Sequence, residues 1–193
     1  VVLSPDAVAM RFTEHGISAR QGTPSSWGGI CLFRIEDGRL RFGWAEEDYF
    51  GRKLQLKSGV VDTICPPHPA PWDEPVCDLD LATESAFATW IKDTTHLVRG
   101  VEEISSGVPK LAELVDPHSF DLSVLFSGGS RGAFHGVVKG TYMGGFVDIA
   151  TGLAGSQISV PVAGIFDADG RSVTRVQLCG DRLGLHRHLL NRM

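Results

Sequence analysis

Two stretches decide the fold: residues 30–56, ICLFRIEDGRLRFGWAEEDYFGRKLQL, and residues 163–189, AGIFDADGRSVTRVQLCGDRLGLHRHL. At a shift of 133 positions, Asp48 meets Asp181, Gly51 meets Gly184 and Leu56 meets Leu189. The triplets Asp37-Gly38-Arg39 and Asp169-Gly170-Arg171 match one residue out of step, a slip that a hairpin turn absorbs. Asp-Gly between alternating apolar residues is the strongest short-range hairpin signal, because both turn positions need positive φ. The repeated unit therefore reads as a β-hairpin, an acidic strand end and a short amphipathic tail. An internal repeat constrains the fold before any local propensity does.

Working outward, residues 1–57 are strand-like. Ala7–Thr13 is β-prone, Gly22–Gly29 is a polar, glycine-rich loop, and Ile30–Ile35 with Arg39–Trp44 flanks the first Asp-Gly turn. Residues 58–80 hold five of the ten prolines, which bars a helix or central strand and predicts an extended connector. Leu81–Val98 has helical spacing through Ala86, Phe87, Trp90 and Ile91, with Asp80 or Thr83 as cap. A second helix is expected over Val101–Leu114, broken near Gly107-Val108-Pro109. Strand signals return at Leu122–Ser127, Ala133–Tyr142, Ile158–Phe166 and Ser172–Cys179.

The 193 residues carry a net charge of −5, with −5 in residues 58–100 alone, +1 in 1–57 and −1 in 101–193. No basic stripe supports nucleic acid as the partner. No apolar run approaches the roughly 20 residues of a membrane-spanning helix. The four cysteines, at 31, 65, 77 and 179, lack the spacing of a small disulfide scaffold. They are expected as free thiols in a reducing, cytoplasmic setting. No signal-peptide pattern is visible at the N-terminal end.

The ordered set Gly140-Thr141-Tyr142-Met143-Gly144-Gly145-Phe146, Thr151-Gly152, Ile158-Ser159-Val160-Pro161, Ile165-Phe166, Asp169-Gly170-Arg171 and Asp181-Arg182-Leu183-Gly184-Leu185 resembles the SnoaL-like polyketide cyclase family of the NTF2-like superfamily. Residues 6–56 repeat the resemblance through Asp6–Phe12, His15-Gly16, Phe33–Arg39, Trp44, Asp48 and Gln55-Leu56. The resemblance implies an α+β fold: a cone in which a curved antiparallel sheet wraps N-terminal helices, here in tandem. Residues 1–57 would be the sheet half of one unit, 58–80 a linker, and 81–193 a complete unit. It also implies a small hydrophobic ligand in the cone and carboxylate- or histidine-assisted cyclisation, isomerisation or dehydration. No metal or other cofactor is expected. The first unit lacks helices to cover its apolar sheet face, so the two sheets should pack intimately or build a homodimer.

Strand parity puts Leu40, Phe42, Trp44, Glu46 and Asp48 on one face. A carboxylate at the end of such a face can become a useful base, which makes Asp48 a catalytic candidate with Trp44 and Glu46 as substrate contacts. The other reading of Glu46-Glu47-Asp48 is a solvated strand end or a helix cap. In the second unit Arg175, Gln177, Cys179 and Asp181 share a face, either lining a wet cavity beneath the helices or facing solvent. Asp181 is the matching catalytic candidate, with Arg175 and Gln177 as contacts. His135 and Tyr142 lie on central strands, His135 as an acid/base candidate and Tyr142 as a substrate contact; His15 is the first unit's counterpart. Gly128-Gly129-Ser130-Arg131-Gly132 matches the G-x-S-x-G nucleophile pattern, with Asp169 and His188 downstream, but the required helix does not follow. Cys65, His68 and Cys77 have no recognised zinc spacing.

Overall fold

A computed structural model describes residues 1–63, 73–105 and 107–193. It contains two largely antiparallel sheets packed face to face. The first sheet runs in the order β1 (Val2–Ser4), β2 (Ala7–Ile17), β3 (Pro24–Glu36), β4 (Arg39–Glu47), and α1 (Tyr49–Ser58) follows it. After α2 (Leu81–Trp90), β5 (Glu102–Glu103) and α3 (Leu111–Leu114) come β6 (Val115–Gly128), β7 (Arg131–Tyr142), β8 (Gln157–Ala168), β9 (Val173–Gly180) and α4 (Arg182–Leu190). The second sheet has the order β5-β9-β8-β7-β6, antiparallel except where β5 runs parallel to β9. Helices α2 and α4 lie against the second sheet and α1 against the first.

The turn chemistry acts as the sequence demands. Asp37 and Gly38 both sit at positive φ, 52° and 69°, the conformation of a two-residue hairpin turn. Gly129-Ser130 is the tight turn between β6 and β7, with Gly129 at positive φ and a strand and no helix after it, so Ser130 has no nucleophile-elbow context. Asp80 caps α2 through the amide of Ala82. The expected helix over 101–114 is replaced by the two-residue strand β5 and the single turn α3. Proline 109 removes an amide donor where that helix would need one, and β9 offers an edge that β5 pairs instead. Cys65 and His68 lie outside the described residues, while Cys31, Cys77 and Cys179 are free thiols.

Side-chain alternation on the second sheet divides two cores. Phe134, Val138, Tyr142, Val160, Phe166, Val176 and Leu178 point towards α2, where Phe87 is fully buried. Its ring lies 4.6 Å from Phe134 and 4.9 Å from Phe166 by centroids, so aromatic carbon fills this space. The opposite parity, Val124, Phe126, Ala133, Ala163, Ile165 and Cys179, packs on Val2, Ala7, Ala9, Ile30 and Leu32 of the first sheet. The intimate sheet-to-sheet packing expected from the uncovered apolar face is thus met inside one chain.

Candidate functional site

Each sheet ends in the same local device. β4 ends at Glu47, Asp48 caps α1, and its carboxylate accepts from the amide of Gly51 at 3.0 Å. β9 ends at Gly180, Asp181 caps α4, and its carboxylate accepts from the amide of Gly184 at 2.7 Å. The glycines are required: an added Cβ would stand 2.3 Å from Asp48 Oδ2 and 2.0 Å from Asp181 Oδ2. Asp-x-x-Gly is therefore a capping motif, in which the side-chain oxygen satisfies an amide the helix leaves open. Both carboxylates expected as bases serve as helix caps, each through Oδ1. The short amphipathic tails of the repeat are α1 and α4 themselves.

Asp48 is 4% exposed, and burial raises its pKa above the ordinary value, against the opposing effects of the Gly51 amide and the nearby Arg182. Arg182, the first residue of α4, is 1% exposed; burial lowers its pKa to about 10. It ion-pairs with Glu103 and donates from Nε to the Pro109 carbonyl at 2.9 Å. Arg182 thus pairs across to the β5 segment, and no ion pair with its neighbour Asp181 forms. Lys53 on α1 and the fully buried His186 on α4 approach within 3.5 Å. His186 also bonds Asp148 at 2.9 Å and sits 5.1 Å from the rings of both Phe50 and Phe146.

The structure brings two of the predicted residues together. His135 Nε2 lies 3.0 Å from Glu46 Oε1, joining β7 to β4 across the sheets, with each side chain 12% exposed. Glu46 forms part of the wall of a 260 Å³ cavity that Asp181 and Arg187 also line. Beside it, Glu47 accepts from Trp27 Nε1 at 2.9 Å and from the Tyr49 hydroxyl, a bond that raises the Tyr49 pKa. Through Tyr49, Leu183 and Arg187 this cavity continues into a larger groove of about 680 Å³ along the seam of α1 and α4.

The remaining candidates lie elsewhere. Trp44 packs against the inter-sheet core. Tyr142 is 2% exposed beneath the helices, its hydroxyl accepting from the amide of Phe146 at 3.2 Å. Arg175 and Gln177 bond Glu102 at the β5 edge. Their row, with Cys179, faces away from α2 and so lines no cavity beneath that helix. The Cys179 thiol is buried between the sheets, which pushes its pKa well up, and the nearby Asp48 and Glu46 act in the same direction. His15 bonds Ser26 on the neighbouring strand.

Sequence reading did not single out Arg52, Lys53, Lys57 and Arg187, which surround the larger groove. A helical wheel of 49–58 would have found the first three on one stripe with Leu56. Among the described residues, no group of three or more His, Cys, Asp or Glu could hold a metal ion. No described helix is long and apolar enough to cross a membrane.

No family model and no curated protein matches the chain. Two solved structures are similar to part of it. One is a putative polyketide cyclase from Acidithiobacillus ferrooxidans, at 16% identity and a TM-score of 0.43, over 57% of this chain and 95% of that one. The other is TsrD from Streptomyces laurentii, at 21% identity and a TM-score of 0.41, over 58% and 98%. A likeness of this degree assigns neither activity nor ligand.

Proposed function

We propose that this chain is a non-catalytic small-ligand-binding module of the NTF2-like type, built from two related units packed sheet to sheet. Residues 1–57 would be one unit, 58–80 the connector and 81–193 the other, with a small hydrophobic molecule held at the seam of α1 and α4. One observation carries this reading. The space behind α2, which the family resemblance reserves for substrate, is occupied by Phe87, Phe134 and Phe166, whereas open volume lies along the helix seam. Two features support the duplication. The same capped helix follows the last strand of each sheet. Lys53 and His186, which correspond at a shift of 133, touch each other, as residues on a local two-fold axis would.

The test is amide chemical-shift mapping with a neutral bicyclic aromatic probe such as 2-naphthalenemethanol. Shifts confined to residues around Leu56 and Leu183 are expected. Shifts at Phe134 and Phe166, with none at the helices, would refute the assignment.

The Glu46–His135 pair favours a second reading, in which Glu46 acts as a base oriented by His135 at the wall of the smaller cavity. It requires deuterium exchange at an activated C–H of a bound carbonyl compound. Glu46→Gln should abolish that exchange; equal exchange in both proteins rules the mechanism out.

A further inference from the structure

The groove along α1 and α4 has a one-sided charge. Arg52, Lys53 and Lys57 on α1 and Arg187 on α4 border it, and none of its lining residues is a carboxylate. This happens in a chain whose net charge is −5. Among the described residues none of the four forms a salt bridge. Arg52 lies over the Trp27 ring at 4.8 Å, with its Nε buried and unpartnered, and Lys53 meets the Phe50 ring and His186. The apolar surface between the cations comes from Leu56 and Leu183. Four like charges in one concavity repel each other and raise the local concentration of anions.

We infer that the groove binds an anionic amphiphile: a carboxylate or phosphate head group on a compact apolar body. The head group lies among Lys57, Arg187 and Arg52, and the body rests on Leu56 and Leu183. Arginine offers paired donors in a plane that matches a carboxylate or phosphate, and the lysines add point charge. Past Tyr49, Leu183 and Arg187 the groove continues into the smaller cavity lined by Glu46, Glu47 and Asp181. The carboxylates of that cavity accept hydrogen bonds, so a hydroxyl on the ligand finds acceptors there. This claim rests on the seam being the binding site, as proposed above.

The experiment compares three isosteric probes by calorimetry and amide shift mapping: 2-naphthoate, 2-naphthalenemethanol and 2-naphthylmethylammonium. An exposed charge contact contributes a factor of up to about five in affinity. Two or three together should make the carboxylate bind about tenfold or more tighter than the alcohol, with the ammonium weakest. Raising salt from about 0.05 to about 0.5 M should erode the advantage of the carboxylate and leave the alcohol unchanged. The double variants K57Q/R187Q and K57E/R187E, checked for unchanged circular dichroism, should first remove and then invert the preference. If carboxylate and alcohol bind the same amides with equal affinity, the anion preference is wrong and the seam site stands. If no probe shifts the α1 and α4 amides, both fall.

Discussion

Removing the Phe87 ring tests whether the space behind α2 is filled or is an open ligand chamber. Phe87 is fully buried, with ring centroids at 4.6 Å from Phe134, 4.9 Å from Phe166 and 5.7 Å from Trp90. In a packed core, phenylalanine to alanine costs about 3–5 kcal/mol, the sum of lost transfer energy and the void left behind. Aromatic pairs add roughly 0.5–1.5 kcal/mol beyond area, which places Phe87→Ala in the upper half of that range. For a chain of this size each 1 kcal/mol lowers the melting temperature by about 2–4 °C, so a fall of roughly 8–20 °C is expected. Urea unfolding of the two proteins, with equal slopes, gives the free-energy difference directly. The new void would be apolar and dry and should accept benzene, which then raises the melting temperature of Phe87→Ala and not of the parent protein. A cost below about 1 kcal/mol, or equal stabilisation of both by benzene, would show an interior already open and restore the cone as the ligand site.

Two further outcomes follow from the capping aspartates. Asp181→Ala should cost about 1 kcal/mol in urea unfolding while Asp181→Asn costs almost nothing, because asparagine and aspartate cap helices equally well; equal losses would show that Asp181 is needed for something other than its cap. Burial raises Asp48 above its ordinary value of 3.8, so the folded chain holds that proton when the unfolded chain has released it. Stability from this group is therefore full below the ordinary value, is lost as pH rises through the raised one, and stays lost above it. Asp48→Asn lacks this proton, so the stability difference between parent and variant should move against the parent as pH rises through that window in a series of urea titrations; a constant difference contradicts the burial argument.

Much of the fold is legible in local chemistry. Asp37-Gly38 needs only its own backbone freedom to turn, and α2 declares itself through Asp80 and the spacing of Ala86 and Phe87. The expected helix over 101–114 fails because periodicity does not register an available sheet edge, and β9 captures Glu102-Glu103. The row Arg175, Gln177, Cys179 illustrates a different limit. Alternation correctly separates it from Val176 and Leu178, but parity cannot say which face the helices cover. Only the packing of the first sheet onto that face decides it, burying Cys179 and leaving Arg175 and Gln177 at the edge. The same limit governs the site. Glu46 and His135 were each visible as polar groups on apolar strands, yet they are 89 residues apart and meet through the stagger of two sheets. Asp48 and Asp181 attracted attention because they repeat, and they repeat because both helices need a cap.

The heads of α1 and α4 are not electrostatically equal. At the head of α4, Arg182 is buried, and Glu103 compensates its charge with Asp48 close by. A buried charge left alone would cost several kcal/mol, which Glu103 offsets for Arg182; burial raises the proton affinity of Asp48, and Arg182 opposes that rise. The equivalent position at the head of α1 is Tyr49, which is 41% exposed and needs no partner of that kind. Glu103 pairs with Arg182, and Glu47 and Glu46 bond Trp27, Tyr49 and His135 at the wall of the smaller cavity. Arg52 and Lys57 are left on the open side, and Arg187 stands between them and the carboxylates of the smaller cavity. The open end of the seam is thus left cationic, a charge that favours anions from outside the chain.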